Sequence, residues 1–146
     1  MKIEIRAIGK LKNGSPEDLL IKEYQKRLVW DLTIKESGND LREKEAEFLL
    51  RSIPPKAKVV VLDERGENMK STEFAQKIGT WQNEGISEIY FLIGGADGHI
   101  DSTRKRADLL LSFGKLTMPH FLIRAVLTEQ IYRAQTILSG HPYHRD

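Results

Sequence analysis

Two adjacent glycines, Gly94 and Gly95, follow the apolar run FLI and precede Asp97, Gly98 and His99. Glycines at the end of a buried strand allow another group to approach the main chain, because neither carries a Cβ. A phosphate cradle is the first chemistry to consider, but the segment matches neither G-x-x-x-x-G-K-[ST] nor G-x-G-x-x-G. The plainer interpretation is a tight turn that needs a positive φ, with Asp97 capping the next helix or closing an Asx turn.

The four histidines suggest no metal centre. His99 and His120 fall in predicted loops, and His141 and His144 lie in the C-terminal tail HPYHRD. The H-E-x-x-H spacing of zinc-binding helices is absent and the chain has no cysteine, so we expect no metal site. A serine–histidine–acid triad has no G-x-S-x-G turn to support it.

Basic and aromatic residues gather in the last part of the chain. Arg124, Arg133 and Arg145 are near Tyr132 and Tyr143 in the sequence. Such charges usually belong to solvated helix faces, but arginines beside aromatic rings also suit a nucleic acid whose base must be stacked and held. The net charge is only +2, from 23 basic and 21 acidic residues, so any RNA contact is expected to be local.

Alternating strands and helices must position these residues. The segment KIEIRAI at residues 2–8 alternates apolar and polar side chains, as a strand does. Ser15 followed by Pro16 predicts the start of a helix that runs to about Trp30. The alternating segment LTIKE predicts a second strand, and Asp40 is expected to cap a second helix that ends before two prolines.

The second half of the chain repeats this order with more apolar strands. Three further strands are predicted at KVVVLD, EIYFLI and SFGKLTM. The helices among them are expected to begin at Ser71 or Thr72 and near Asp101, while the longest helix opens at Pro119 and ends at Gly140. Five strands alternating with five helices predict an α/β fold, with a mostly parallel sheet and helices on both faces.

The chain is expected to form one domain, residues 1–146, because it has no linker, repeat or low-complexity tract. No apolar run approaches the roughly 20 residues that span a bilayer, and the N-terminus lacks the features of a signal peptide, so we expect a cytoplasmic protein. In open parallel sheets, ligands bind beyond the carboxyl ends of the strands. The candidate site is therefore formed by the loops at residues 63–66, 94–99 and 113–120.

Five segments in a fixed order carry a more specific resemblance: VVVLDERG, FLIGGADG, LTMPH, EQIYRAQ and the terminal HPYHRD. Together they resemble the RlmH family of SPOUT-class methyltransferases, which methylates N3 of a pseudouridine in large-subunit (23S) ribosomal RNA. The resemblance spans the whole chain. It implies a C-terminal trefoil knot within the α/β fold, a homodimer, and 23S ribosomal RNA within the ribosome as the partner.

The resemblance also implies how the methyl donor, S-adenosylmethionine, is held. Main-chain groups at the three strand ends would bind it. The implied cofactor residues are Leu62, Gly94, Gly95, Phe113, Gly114, Lys115, Leu116, Thr117 and Met118. On this interpretation, a Cβ at either of the two adjacent glycines would obstruct the cofactor.

For the transfer itself, a cation or hydrogen-bond donor near the uracil oxygens would stabilise the ring once N3 loses its proton. Arg124, His144 and Arg145 are the candidates, with His144 as the proton acceptor and Tyr143 as a stacking platform. The tail that carries three of these residues has a second interpretation, in which it only clamps a partner subunit.

Two departures from the family pattern concern the RNA contact. The ESGND connection at residues 36–40 is short, and Glu67 stands where a lysine is common. Both weaken any contact with RNA that would be expected at that edge. Two other functions stay open: a SPOUT methyltransferase with another RNA target, such as a transfer RNA, and an RNA-binding or ribosome-assembly factor without catalysis.

Overall fold

Five strands and five helices alternate along residues 1–145, the part of the chain that the computed structural model describes. The strands are β1 (Lys2–Ile8), β2 (Asp31–Ser37), β3 (Lys58–Asn68), β4 (Glu88–Ile93) and β5 (Leu109–Ser112). The helices are α1 (Pro16–Arg27), α2 (Arg42–Leu50), α3 (Ser71–Asn83), α4 (Asp101–Arg106) and α5 (His120–Ser139). The strands form a parallel sheet in the order β2-β1-β4-β3-β5, which confirms the predicted α/β class.

Helices cover both faces of this sheet. On one face, Phe74 of α3 and Leu127 of α5 share a buried cluster with Ile5 of β1. On the other face, Leu49 of α2 packs in a separate cluster with Val61 of β3. The near-continuous apolar runs of the central strands follow from this arrangement, since side chains on both faces are removed from water.

The charged residues Glu4 and Arg6 of β1 are buried as well. Glu4 and Arg6 are 5% and 6% exposed and form an ion pair. Arg6 also donates hydrogen bonds to the carbonyl oxygens of Leu49 and Arg51, and its guanidinium lies 4.9 Å from the centre of the Tyr90 ring. Because these contacts satisfy the charged pair, α2 can close over this face of the strand.

The fifth strand lies earlier than the sequence predicted. β5 is the apolar segment LLLS, and the predicted strand SFGKLTM contributes only its first residue, Ser112. The preceding helix α4 ends at Arg106, so the leucines that follow are available to pair with β3. Gly114 has a φ of 115°, which a strand cannot accommodate. Residues 113–119 therefore form the loop between β5 and α5.

Three helix boundaries also differ from the prediction. α1 ends at Arg27, before the expected Trp30, because the backbone becomes extended at the next residue. Leu41 occupies the position before α2, and Asp40 instead accepts a hydrogen bond from the backbone N–H of Leu41. Ser71 is the first residue of α3 rather than its cap. The predicted limits of α5, by contrast, are confirmed at both ends.

β3 passes β5 at very short range. Leu111 pairs with Leu62 and again with Glu67, which lies further along β3. A Cβ built on Gly66 would lie 2.7 Å from main-chain atoms of Leu110 and Leu111. The chain between the two pairings therefore runs over the backbone of β5, and only glycine fits at the closest point. The trefoil knot implied by the resemblance stays a prediction.

Candidate cofactor cavity and C-terminal tail

A cavity of about 830 Å³ lies at the carboxyl edge of the sheet. It is lined by every residue that the resemblance implied for the cofactor, namely Leu62, Gly94, Gly95, Phe113, Gly114, Lys115, Leu116, Thr117 and Met118. Leu62 lies within β3, and the other residues come from the loops after β4 and β5. They meet because β3 lies between β4 and β5, and Leu62 pairs with Ile93 at the end of β4 and with Leu111 near the end of β5. The predicted loop at residues 63–66 is wrong, because these residues continue β3 to Asn68.

Packing within the chain restricts both adjacent glycines. Neither has a positive φ, so the interpretation of a turn that needs one is wrong. A Cβ on Gly94 would lie 2.9 Å from Cε1 of His99, and a Cβ on Gly95 would lie 3.1 Å from the carboxylate oxygens of Glu45. The buried His99 ring therefore opposes a larger residue at position 94 before any ligand is considered, whereas at position 95 the Glu45 side chain would have to move by a few tenths of an ångström.

His99 connects the loop after β4 to β3. Its ring is 4% exposed, and Nε2 lies 3.0 Å from the carbonyl oxygen of Leu62, so Nε2 carries the proton and donates it. Burial lowers the pKa of His99, and the hydrogen bond to Leu62 and the charge of Asp63 oppose this only in part. A neutral His99 thus fixes the 94–99 loop against β3. The sequence had marked this residue only as a loop histidine.

An ion pair between Asp63 and Arg104 forms part of the cavity wall. Oδ2 of Asp63 accepts a hydrogen bond from Nε of Arg104 at 2.7 Å, and Oδ1 accepts one from the backbone N–H of Arg65 at 2.8 Å. Burial would raise the pKa of Asp63, but the two hydrogen bonds and the charge of Arg104 hold that pKa below its ordinary value. Sequence reasoning missed this pair, although Asp63 stands at the end of a predicted strand.

Exposed charges of both signs surround the mouth of the cavity. Arg42, Arg65 and Lys115 are exposed, and none of them forms an ion pair with a carboxylate among residues 1–145. Glu64 and Asp97 are exposed acids on the same rim. The charges nearly balance, so the rim by itself offers RNA only a weak electrostatic attraction.

Arg124 lies behind the site rather than in it. Its side chain is 0% exposed and forms an ion pair with Glu36. It also donates hydrogen bonds to the carbonyl oxygens of Ile8 and Gly9, at 3.3 and 3.2 Å. Arg124 thus ties α5 to the ends of β1 and β2. The contact with a uracil oxygen that the sequence suggested does not fit this buried position.

The three tail residues expected to take part in catalysis lie outside the cavity of their own chain. The hydroxyl of Tyr143 donates a hydrogen bond to Glu129 at 2.9 Å, and His144 contacts Arg133 at 3.1 Å, while Arg145 is exposed. On α5 the cavity lining reaches only to Ile123, about 9 Å along the helix axis from Glu129 at 1.5 Å per residue. The structure therefore brings together the residues that the resemblance implied for the cofactor and leaves the tail apart from them.

Two further properties concern residues 1–145 as a whole. No group of three or more histidine, aspartate or glutamate side chains within this range is arranged to hold a metal ion. None of the helices in the same range combines the length and the apolar character needed to cross a membrane.

The parallel sheet with a cavity at its carboxyl edge is consistent with the protein family that the amino-acid sequence matches. The chain belongs to the SPOUT methyltransferase family, since the family model described as "Predicted SPOUT methyltransferase" matches residues 1–144. This finding confirms the resemblance seen in the sequence motifs.

Individual relatives carry a more particular name. Ribosomal RNA large subunit methyltransferase H of Rhodospirillum centenum is 49% identical over 152 residues, covering 99% of both chains. The protein of the same name from Zymomonas mobilis is 49% identical over 146 residues, covering 100% of this chain and 99% of its own. Among solved structures, the SpoU methyltransferase AviRb from Streptomyces viridochromogenes in complex with AdoMet aligns with 96% of this chain and 61% of its own, at 12% identity and a TM-score of 0.48. That score is too low to compare individual residues.

Proposed function

We propose that this protein transfers a methyl group from S-adenosylmethionine to N3 of a pseudouridine in 23S ribosomal RNA, within the assembled ribosome. The observation that carries the proposal is the convergence of all the implied cofactor residues on one cavity. Membership of the SPOUT methyltransferase family supports methyl transfer. The name shared by the relatives, ribosomal RNA large subunit methyltransferase H, supports the choice of RNA.

The cavity suits a nucleoside of the size and polarity of this cofactor. Its volume of about 830 Å³ falls within the range of about 300–1,000 Å³ typical of small-molecule sites. Leu62, Ile93 and Met118 offer apolar surface for an adenine ring, and the loops at 94–98 and 113–118 offer main-chain donors and acceptors. When bound, S-adenosylmethionine supplies a methyl group attached to a positively charged sulfur.

Side chains beneath the loops hold the cavity in shape. The hydroxyl of Ser112 accepts a hydrogen bond from the backbone N–H of Gly114 at 3.2 Å and donates one to its carbonyl oxygen at 3.0 Å. His99 fixes the neighbouring loop through Leu62. A site whose loops are already positioned loses less conformational entropy when it binds its ligand and its substrate.

The nucleotide must also be deprotonated and held, and the tail residues are suited to this role. N3 of a pseudouridine carries a proton at neutral pH, so transfer requires that the proton leave and that the resulting charge be stabilised. Arg145 offers a permanent cation, His144 a second polar contact, and Tyr143 an aromatic face. Arg124 contributes indirectly, because it anchors α5 beside the loop that follows β5.

A second copy of the chain would bring this tail to the cavity, because the tail lies away from the cavity of its own chain. Apolar side chains exposed near the cavity mouth support the proposed homodimer. Leu116, Phe121 and Leu122 are 85%, 37% and 39% exposed, and association with another copy would remove them from water. We therefore propose a composite site, with cavity and tail contributed by different subunits.

Mass spectrometry of 23S ribosomal RNA tests this function in cells. A strain that lacks the protein should lose one N3-methylated pseudouridine, and a plasmid copy of the wild-type gene should restore it. A matched plasmid that encodes the Arg145→Ala variant should not restore the modification. An unchanged modification pattern in the deletion strain would refute the proposed substrate.

Purified components separate the remaining alternatives. The protein should transfer labelled methyl groups to assembled ribosomes in preference to isolated large subunits, free 23S ribosomal RNA or transfer RNA. Preferential labelling of transfer RNA would support the rival methyltransferase. Calorimetric titration should detect binding of S-adenosylmethionine and none of ATP. Failure to bind the former would support a ribosome-assembly factor without catalysis.

A further inference from the structure

The C-terminal tail packs against one face of α5. Gly140 ends the helix in the left-handed conformation, with φ 75° and ψ 15°, and the chain then turns back along the helix. The ring of Tyr143 lies edge-on to that of Tyr132, with 4.8 Å between their centres. Its hydroxyl lies 3.3 Å from the hydroxyl of Tyr24 on α1. Residues of the sequence motifs EQIYRAQ and HPYHRD therefore contact each other.

The carboxylate of Glu129 accepts the hydrogen bonds that hold this contact together. Its Oε1 receives the hydroxyl of Tyr143 at 2.9 Å, together with Nε and Nη2 of Arg133 at 3.1 and 2.7 Å. Arg133 in turn stands over the ring of Tyr143, 4.9 Å from its centre, and its Nη1 lies 3.1 Å from Nδ1 of His144. One carboxylate thus orients Arg133, which contacts the tail, and Tyr143, which belongs to the tail.

The spacing of the contacting residues explains why α5 can hold the tail. Glu129, Tyr132 and Arg133 are three and four positions apart, so their side chains share one face of the helix. The hydrogen bond to Glu129 raises the pKa of Arg133. Burial, followed by the hydrogen bonds to Tyr24 and Glu129, raises the pKa of Tyr143. Both residues therefore keep their protons, as the contacts require.

The contact with Arg133 also fixes the state of His144. An arginine only donates hydrogen bonds, so Nδ1 of His144 must accept from it, and the neutral ring carries its proton on Nε2. The sequence-based role of His144 as proton acceptor stays a prediction.

We propose that Glu129 and Arg133 are positioning residues for methyl transfer, which hold the C-terminal tail in its working geometry and set the tautomer of His144. The inference rests on the proposed function of the tail. It predicts that damage to the clamp, defined as Glu129, Arg133 and Tyr143, slows the chemical step without weakening cofactor binding. A clamp that only stabilises the fold would lower the unfolding free energy and leave the turnover of folded protein unchanged.

The test compares Glu129→Gln, Tyr143→Phe and the double variant with wild type, and uses Glu47→Gln, an exposed helix carboxylate outside the clamp, as a matched control. We expect Glu129→Gln to lower kcat on ribosomes about tenfold and Tyr143→Phe about threefold, as for lost hydrogen bonds to a charged group. The dissociation constant for S-adenosylmethionine should stay within about twofold. The double variant should be no slower than Glu129→Gln, because both changes break the same contact.

Nitrogen-15 NMR of the histidine rings provides a readout that does not depend on activity. Wild type should show the Nε2–H form for His144, and Glu129→Gln should show mixed tautomers, whereas the control should match wild type. If Glu129→Gln fails to fold, Arg133→Lys replaces it, because this change keeps the charge and removes the fork that reaches both Glu129 and His144.

Several results would overturn the inference. The inference is wrong if Glu129→Gln has an unchanged kcat. It is also wrong if the affinity for the cofactor falls in parallel with the rate, or if the effects of the two substitutions add in the double variant. Failure of the wild-type protein to methylate ribosomes is a different result, because it would refute the proposed function itself. If the wild-type protein is active and Glu129→Gln is equally fast, only the positioning role of the clamp is refuted.

Discussion

His99 is a buried, neutral histidine at the junction of two strands, so the stability of the protein should depend on pH through this residue. Its folded pKa lies below the ordinary value of 6.5, while the unfolded chain binds a proton at about that value. As the pH falls below about 7, the unfolded state takes up more protons than the folded state, and the free energy of unfolding decreases. Above about pH 7, both states are neutral and His99 contributes no slope.

Urea unfolding of wild type and His99→Gln between about pH 7.5 and about pH 5, a range that brackets the ordinary histidine pKa, measures this effect. Glutamine keeps an N–H donor for the carbonyl oxygen of Leu62 but does not titrate. The variant should therefore lose less stability than wild type on acidification. Equal losses in the two proteins would show that the ring titrates normally.

Gly94→Ala separates two explanations of the paired glycines. If the site needs glycine only to admit a ligand, the substitution should leave the ligand-free protein as stable as wild type. The added Cβ would instead meet the His99 ring at 2.9 Å, so we expect the ligand-free protein to lose about 1–3 kcal/mol of unfolding free energy. Gly38→Ala is the control, because a Cβ there meets nothing within 4 Å.

Arg124→Met tests whether that arginine is structural. The change would leave Glu36 without its ion pair, together with two carbonyl oxygens that now accept hydrogen bonds. Since Glu36 is 29% exposed and water can reach it, we expect a loss of about 1–3 kcal/mol in urea unfolding, the cost of buried acceptors left without their donor. A fully stable variant that cannot methylate RNA would instead return Arg124 to a direct role in catalysis.

At the scale of secondary-structure elements, sequence patterns located the strands that line the cavity. EIYFLI was placed correctly, whereas KVVVLD gave only the first six residues of β3, which continues to Asn68 because Glu67 and Asn68 pair again with β5. LLLS was missed because an apolar run of this length fits a helix as well as a strand. Glu129, Arg133 and the tail could not be connected by pattern alone, since their contact depends on where the chain turns after α5.

That turn can be tested at Gly140. A Cβ at this position would meet no atom within 4 Å, so the only penalty of Gly140→Ala is the left-handed backbone, about 1 kcal/mol. We expect a decrease in melting temperature of a few degrees and slower methyl transfer, because the tail leaves α5 at a different angle. Gly140→Asn should be milder, since asparagine tolerates this conformation. Equal melting temperatures and rates for all three proteins would contradict the prediction.

At the scale of the whole molecule, the separation of tail and cavity predicts complementation between subunits. Arg145→Ala removes a tail residue, and Gly114→Val places a branched side chain where φ is 115°, which distorts the cavity loop. Each variant alone should be inactive. A heterodimer of the two, purified through different affinity tags, should regain about half of the wild-type rate, since one of its two composite sites is intact.

The same heterodimer excludes the alternative. If each tail served the cavity of its own chain, every site in the heterodimer would carry one defect, and no activity would return. Molecular mass in solution, measured by light scattering, provides the companion test. Leu122→Glu should shift the protein toward the monomer and lower methylation, because this exposed residue is expected to lie in the interface and does not line the cavity.

The passage of residues 63–66 over the backbone of β5 has a consequence for biosynthesis. A nascent polypeptide emerges amino end first, so the overlying segment is made before the strand that it covers exists. β5 follows this segment in chain order, so residues 63–66 cannot take up their final position until β5 has been synthesised. The crossing of β3 and β5 is therefore expected to be a late step in the folding of this domain.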